Sequence, residues 1–192
     1  SVTLLCFEKK YKKTIVAMAT ACTFQNLTWQ QNDNAIAFLK EASNTASAKN
    51  ELLFYSLKTK KTYSFIEKGE NTFPSNRNIV NHDEMELKIS DDGKKVFFSI
   101  KEESAADKVA TLDKVQIWNG NDKFLYPLEQ KIDGWKNVVK TAVWFPEKRT
   151  YRQVTSDTLP WLALTANQTH SLTGNPKAYE PQYKYFGDMD YY

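Results

Sequence analysis

The sequence predicts an all-β fold, namely a β-propeller fragment of about three four-stranded antiparallel blades. Three observations predict it. Alternation of apolar and polar residues recurs along the chain, while the 3.6-residue helical period hardly occurs. Short strand-like runs follow one another closely, with turn residues between them. An internal repeat then groups those runs into units of four.

The strands are read in order. Residues 2–7 form a strand, 8–13 a polar turn, and 14–21 its partner, together the closing hairpin of an earlier blade (1–23). Leu27-Thr28-Trp29 opens the next blade (24–66). A polar turn at 30–34 leads to a strand at 35–39, and a Ser/Ala/Asn loop at 41–50 leads to strands at 51–57 and 62–66. The repeat begins at Leu27, which aligns with Leu87 at an offset of 60 (27 to 87). Trp29 then meets Ile89, Ile36 meets Val96 and Phe38 meets Phe98, with the polar turn in the same place. In the second copy Asp91-Asp92-Gly93 is a hairpin turn, because Gly supplies positive φ at no steric cost. The second halves match at an offset of 63 (52 to 115), pairing the strand at 52–55 with 115–118 and the strand at 62–65 with 124–126. That gives a second blade at 84–128. Four strands joined as two hairpins, repeated along a chain, make a propeller blade. An irregular partial blade follows at 141–192, with strands at 151–154 and 161–165, and 188–192 resembling the opening of the strand at 51–57. Propellers normally close with about four to eight blades, so a single partial domain over 1–192 reads as a piece of a larger protein.

Composition limits the function classes. The net charge is +3 and the lysines are interleaved with acids, without the basic stripe that tracks phosphates, so no nucleic-acid partner is expected. Aromatic residues make up 14%, which favours pleated surfaces. The longest apolar run, 14–23, is too short to span a bilayer. Cys6 and Cys22 read as two free thiols within strands, with a disulfide between neighbouring strands as the alternative. Their spacing makes no zinc site.

The run Ile89-Ser90-Asp91-Asp92-Gly93-Lys94-Lys95 followed by Val96-Phe97-Phe98 resembles the blades of TolB-like and prolyl-oligopeptidase-type propellers. There a strand ending in an apolar-Ser-x-Asp-Gly-Lys pattern feeds the next strand. The run from Glu51 to Lys61 resembles the strand that follows. The likeness covers about residues 24–130. It implies the N-terminal propeller of a bacterial prolyl-oligopeptidase-family serine peptidase, in which the propeller precedes an α/β-hydrolase domain and filters access to it. The catalytic Ser, Asp and His would lie in that downstream domain.

No catalytic, cofactor-binding or metal site is expected within these residues. A Gly-x-Ser-x-Gly elbow and a Gly-rich phosphate loop are both missing from the sequence. His82, beside Asp83 and Glu84, has the residue types of a base or a metal site, but reads as a solvated loop. His170 and Ser171 are adjacent, yet a dyad needs an orienting acid and an oxyanion hole. Glu180, Asp188 and Asp190 read as turn and strand-edge chemistry rather than a cation site, and Asp91-Asp92-Gly93 lacks the rest of a calcium loop. Two sequons begin at Asn26 and Asn167. Trp29 and Trp118 occupy repeat positions that should pack between blades, whereas Trp135 and Trp144 lie in a less regular stretch, where an exposed aromatic could bind a peptide or a sugar.

Three functions remain. The first is a non-catalytic propeller segment of a prolyl-oligopeptidase-type serine peptidase that gates or recognises peptide substrate. The second is a TolB-like periplasmic module that binds a protein or peptide, with no hydrolase following. The third is an enzyme on the propeller itself, which would need converging carboxylates that the sequence does not pair. Open strand edges also predict either pairing into a homodimer or a distorted, self-capped arrangement of the terminal strands.

Overall fold

The computed structural model describes residues 1–7, 12–42, 50–66, 73–74, 76–82, 87–102, 120–132, 135–182 and 187–192. Among these the chain is almost entirely antiparallel β. Strands β1 (Val2–Cys6) and β2 (Lys12–Ala17) form a hairpin. Strands β3 (Cys22–Trp29), β4 (Ala35–Ala42), β5 (Glu51–Ser56) and β6 (Lys61–Ile66) form a four-stranded sheet in sequence order. A second sheet holds β7 (Arg77–Val80), β8 (Lys88–Ile89), β9 (Val96–Glu102), β10 (Lys140–Phe145) and β11 (Thr150–Gln153). A third holds β12 (Trp161–Leu164), β13 (Ser171–Asn175) and β14 (Asp190–Tyr191).

The four layers stack face to face in chain order. Val2, Leu4, Val16 and Ala17 of the first hairpin pack on Ile36, Phe38, Leu53 and Tyr55 of sheet one. The opposite face of sheet one, through Ala35, Ala37, Leu39, Leu52, Phe54 and Phe65, meets Ile89, Val96, Phe98, Ile100, Ala142 and Trp144 of sheet two. Central strands are therefore buried on both faces, and β5, β9 and β10 are buried at consecutive positions instead of alternate ones. The filling is graded. Alanines lie where β3 and β4 approach β8. Farther out, Phe65 sits 5.5–5.7 Å from the rings of Phe73, Phe98, Trp144 and Tyr151. Small residues between inner strands and large rings between outer ones make neighbouring sheets diverge outward, the geometry of propeller blades.

The repeat holds at its first half and is corrected at its second. Ile36 and Phe38 face the preceding layer, and so do Val96 and Phe98, 60 residues on. The register confirms the offset, since Trp29 pairs with Ile36 and Ile89 with Val96. In sheet two the innermost position is shared by β7 and β8, which both pair with β9. This break corresponds to the bulge in β3 between Gln25 and Thr28, where Asn26 takes a left-handed φ of 49°.

The strand at 115–118 lies outside the described residues. The place beside β9 belongs to β10, so the second blade draws its outer strands from 140–153 rather than ending at 128. Residue 126 is in no strand. Tyr126 opens the helix α1 (Tyr126–Ile132), in which Pro127 in the first turn and Leu, Glu, Gln and Lys beyond it favour helix over strand. The equivalence is then Glu51–Ser56 with Lys140–Phe145, at an offset of 89 (51 to 140). It extends to the hairpin turn, where Lys60 and Arg149 have left-handed φ values of 56° and 53°. Residues 141–153 thus belong to sheet two. The third blade starts at Trp161, and its third strand, β14, lies within the 188–192 segment that resembles the third strand of sheet one.

Candidate functional site

The residues to which the sequence drew attention lie apart from one another. His82 is half-buried after β7, and Asp83 and Glu84 lie outside the described residues. His170 is exposed, its Nδ1 2.9 Å from Thr169 Oγ1, and Ser171 begins β13 beside it. Glu180, Asp188 and Asp190 serve three separate purposes. Glu180 Oε1 accepts the indole N–H of Trp135 at 2.6 Å, and Asp190 Oδ1 accepts the Tyr179 hydroxyl at 2.7 Å. That bond to Asp190 raises the Tyr179 phenol above its ordinary pKa. The Asp188 backbone is tied to the amide of Gln182. Among the described residues no group of three or more His, Cys, Asp or Glu side chains could hold a metal ion. Cys6 and Cys22 are free and half-buried.

The tryptophans redistribute. Trp144 is fully buried at the centre of the core and is no exposed aromatic; its Nε1 has no hydrogen-bond partner among the described residues. Its strand falls between two others, which the irregular local sequence concealed. Trp29 is 46% exposed although Ile89, its repeat partner, is 3% exposed. Both point to the preceding layer, but Ile89 meets a full sheet while Trp29 meets only a hairpin, whose packed residues do not reach it. Trp118 lies outside the described residues. Trp135 is half-buried, with a left-handed φ of 78°. Buried Lys140 holds it there, donating to the carbonyls of Trp135 and Val138 and pairing with Asp157 at 2.9 Å.

Two arrays emerge whose members the sequence did not bring together. The first is a set of three hairpin turns with one hydrogen-bond pattern. In residues 30–35, 90–95 and 165–170 the first N–H donates to the sixth carbonyl at 2.9–3.0 Å, and the fourth N–H donates to the first carbonyl at 2.8–2.9 Å. The fourth residue is left-handed in each, as Asp33 (55°), Gly93 (67°) and Gln168 (53°). This is a type I turn closed by a left-handed residue, a favoured hairpin connection. The third copy carries Thr165-x-Asn167, which imitates Ser90-x-Asp92. Asn167 Oδ1 accepts Thr165 Oγ1 and Thr169 N, as Asp92 Oδ1 accepts Ser90 Oγ and Lys94 N. Burial raises the Asp92 pKa, but the bonds from Ser90 and Lys94 and the nearby Lys95 ammonium outweigh it, leaving the carboxyl below its usual range.

The turns are also tied to one another. Buried Gln30 donates from Nε2 to Asp91 O at 2.5 Å, and buried Gln168 accepts the Asp91 N–H at 2.8 Å. Gln30 Oε1 also accepts the Asn34 N–H at 3.0 Å.

The second array lies at the seam between the first strands of sheets one and two. Asn26 Nδ2 donates to Asn81 Oδ1 at 3.1 Å, and Asn81 Nδ2 donates to Gln25 Oε1 at 3.1 Å. The bulge in β3 and the break between β7 and β8 create this place, because both take residues out of the ladder and turn their amides toward solvent. Gln25 Nε2 also donates to Glu41 Oε2 at 2.6 Å, and the amides of the row carry donors and acceptors together, as backbone groups do.

No protein-family model matches the chain, and no curated protein matches it. Two solved structures are similar to it. One is the β-propeller domain of the Trilobed protease from Pyrococcus furiosus, with 14% identity, a TM-score of 0.40, and 82% of this chain matched to 35% of that one. The other is the tricorn protease, with 10% identity, a TM-score of 0.32, and 94% of this chain matched to 22% of that one. The chain spans about a third of the first and about a fifth of the second. The blade architecture rests on the chain's own repeat geometry, which these likenesses follow only loosely.

Proposed function

We propose that the chain is a non-catalytic propeller segment of a larger serine peptidase of the prolyl-oligopeptidase type, and that it recognises or gates peptide substrate. The amide row Gln25–Asn81–Asn26 carries this reading. It is set where the first strands of two blades meet, the side of a propeller that faces the axial channel, and Gln25 Nε2 links it to Glu41 Oε2 at 2.6 Å. A passing peptide offers backbone N–H and C=O groups in an extended row, which such amides can bond. The Ser90-x-Asp92-Gly93 turn supports the family assignment through its resemblance.

Titration with an unstructured peptide, followed by NMR of the side-chain amides, tests the reading. Shifts should concentrate on Gln25, Asn26 and Asn81, and Asn26→Ala with Asn81→Ala should weaken binding several-fold. The chain alone should give no peptide hydrolysis. Turnover by the chain, or peptide shifts confined to other residues, would overturn the proposal.

A further inference from the structure

The two inter-sheet spaces of the molecule are filled differently. Between sheets one and two the register pairs Leu39 with Leu52, both buried, and their side chains help close the gap. The equivalent cross-strand pair in sheet two is Ser99 with Thr141. The offsets of 60 and 89 set by the turns and the register make the correspondence residue for residue. The neighbouring pair behaves differently. Ala37 opposite Phe54 becomes Phe97 opposite Val143, so one large side chain is kept on that row. Only the Leu–Leu row loses its bulk, and it gains two hydroxyls that are 2% and 5% exposed.

A cavity of about 270 Å³ lies there, between sheets two and three. Phe97, Leu162 and Leu164 supply apolar wall, and the small side chains of Ser99 and Thr141 lie where the first interface is filled by leucines. Lys88, directly opposite Phe97 in the register and exposed, lines it as well. No carboxylate among the described residues pairs with Lys88.

We infer that this cavity is a binding site for a small carboxylate with an apolar tail. The tail lies between Phe97 and the two leucines, and the carboxylate meets the Lys88 ammonium at the rim. Apolar walls with a few placed polar groups and one charge are the usual make-up of a small-ligand site, and a charge-assisted bond at the rim fixes which end enters. The volume suits a chain of several carbons or one branched side chain. A free alkanoate and the C-terminus of a peptide ending in leucine share this chemistry. The inference does not depend on the amide row or on any peptidase.

Calorimetric titration of the protein with hexanoate, with hexanamide and with acetyl-Gly-Leu tests it. At least one carboxylate should bind saturably, about tenfold more tightly than hexanamide. Which one binds identifies the source. Ser99→Leu with Thr141→Leu, which restores the filling of the first interface, should abolish binding and leave the far-ultraviolet circular dichroism unchanged. Lys88→Gln should weaken the carboxylate about tenfold and leave hexanamide unaffected. If the double variant does not fold, the surface variant decides alone. Absence of saturable binding, equal affinity for hexanamide, or indifference to Lys88→Gln would overturn the site.

Discussion

Single residues in this molecule show how far context outweighs type. Trp144 and Trp29 are both strand tryptophans, yet one is fully buried and the other 46% exposed. Trp144 keeps in the core an indole N–H that no group among the described residues accepts, and burying such a donor unsatisfied costs about 1–3 kcal/mol. Trp144→Phe should therefore cost less than about 1.5 kcal/mol, because losing part of the ring is offset by removing the orphaned donor, whereas Trp144→Ala should cost about 3–5 kcal/mol. Urea denaturation of both variants checks the ordering. Asp92 offers a pH test. Its folded pKa lies below its ordinary value, so its contribution is fully present above the unfolded pKa of about 4 and is lost as pH falls through the lower, folded value. Its side chain is 39% exposed, so screening holds the contribution below about 1 kcal/mol. Asp92→Asn should lower stability by that amount at pH 7. The difference from wild type should shrink toward pH 3, and a pH series of denaturation midpoints would show it.

Elements are set by their turns. Among the described residues five hairpin-turn positions carry left-handed φ, at Asp33, Lys60, Gly93, Arg149 and Gln168, and one of these is glycine. Left-handed backbone costs an ordinary L-residue about 1 kcal/mol. Gly93→Ala meets no atom within 4 Å, so its cost should be backbone alone, about 1 kcal/mol of destabilisation. Lys60→Gly should run the other way, raising stability by about 0.5 kcal/mol. Thermal denaturation of the two variants should move the midpoint in opposite directions. Shifts of one sign would mean that packing, not backbone conformation, governs these turns.

At the scale of the whole molecule, the sheets are joined by apolar faces and by the row of turns. Gln30 and Gln168 are buried amides that reach across sheet boundaries to the same residue, Asp91. Gln30→Ala removes the bond to Asp91 and the bond to Asn34 N, leaving partners unsatisfied at a cost of about 2–3 kcal/mol. Hydrogen exchange should quicken at the Asn34 amide and along the facing strands β4 and β9, with β5–β6 pairing less affected. Uniform loss of protection would show that the turns do not couple the sheets locally.

Much of this was legible in sequence, for a local reason. Alternation, turn chemistry and the 60-residue offset lie within short windows, so the strands of sheet one, the 90–95 turn and the inward places of Ile36, Phe38, Val96 and Phe98 could be read directly. The outer half of blade two could not. Residues 115–118 and 140–145 carry equally good strand patterns, and only pairing with β9 chooses between them. The third turn was hidden by Thr and Asn standing where Ser and Asp stood before. The amide seam, the row of linked turns and the cavity between Ser99, Thr141 and Leu162 each join residues distant in sequence. They depend on which faces meet, and a strand's own pattern tells which residues share a face but not what that face will touch. The sequence by itself therefore determined the class of fold and the repeat. The tertiary structure alone decided which strands complete each blade, and where packing leaves room for a ligand.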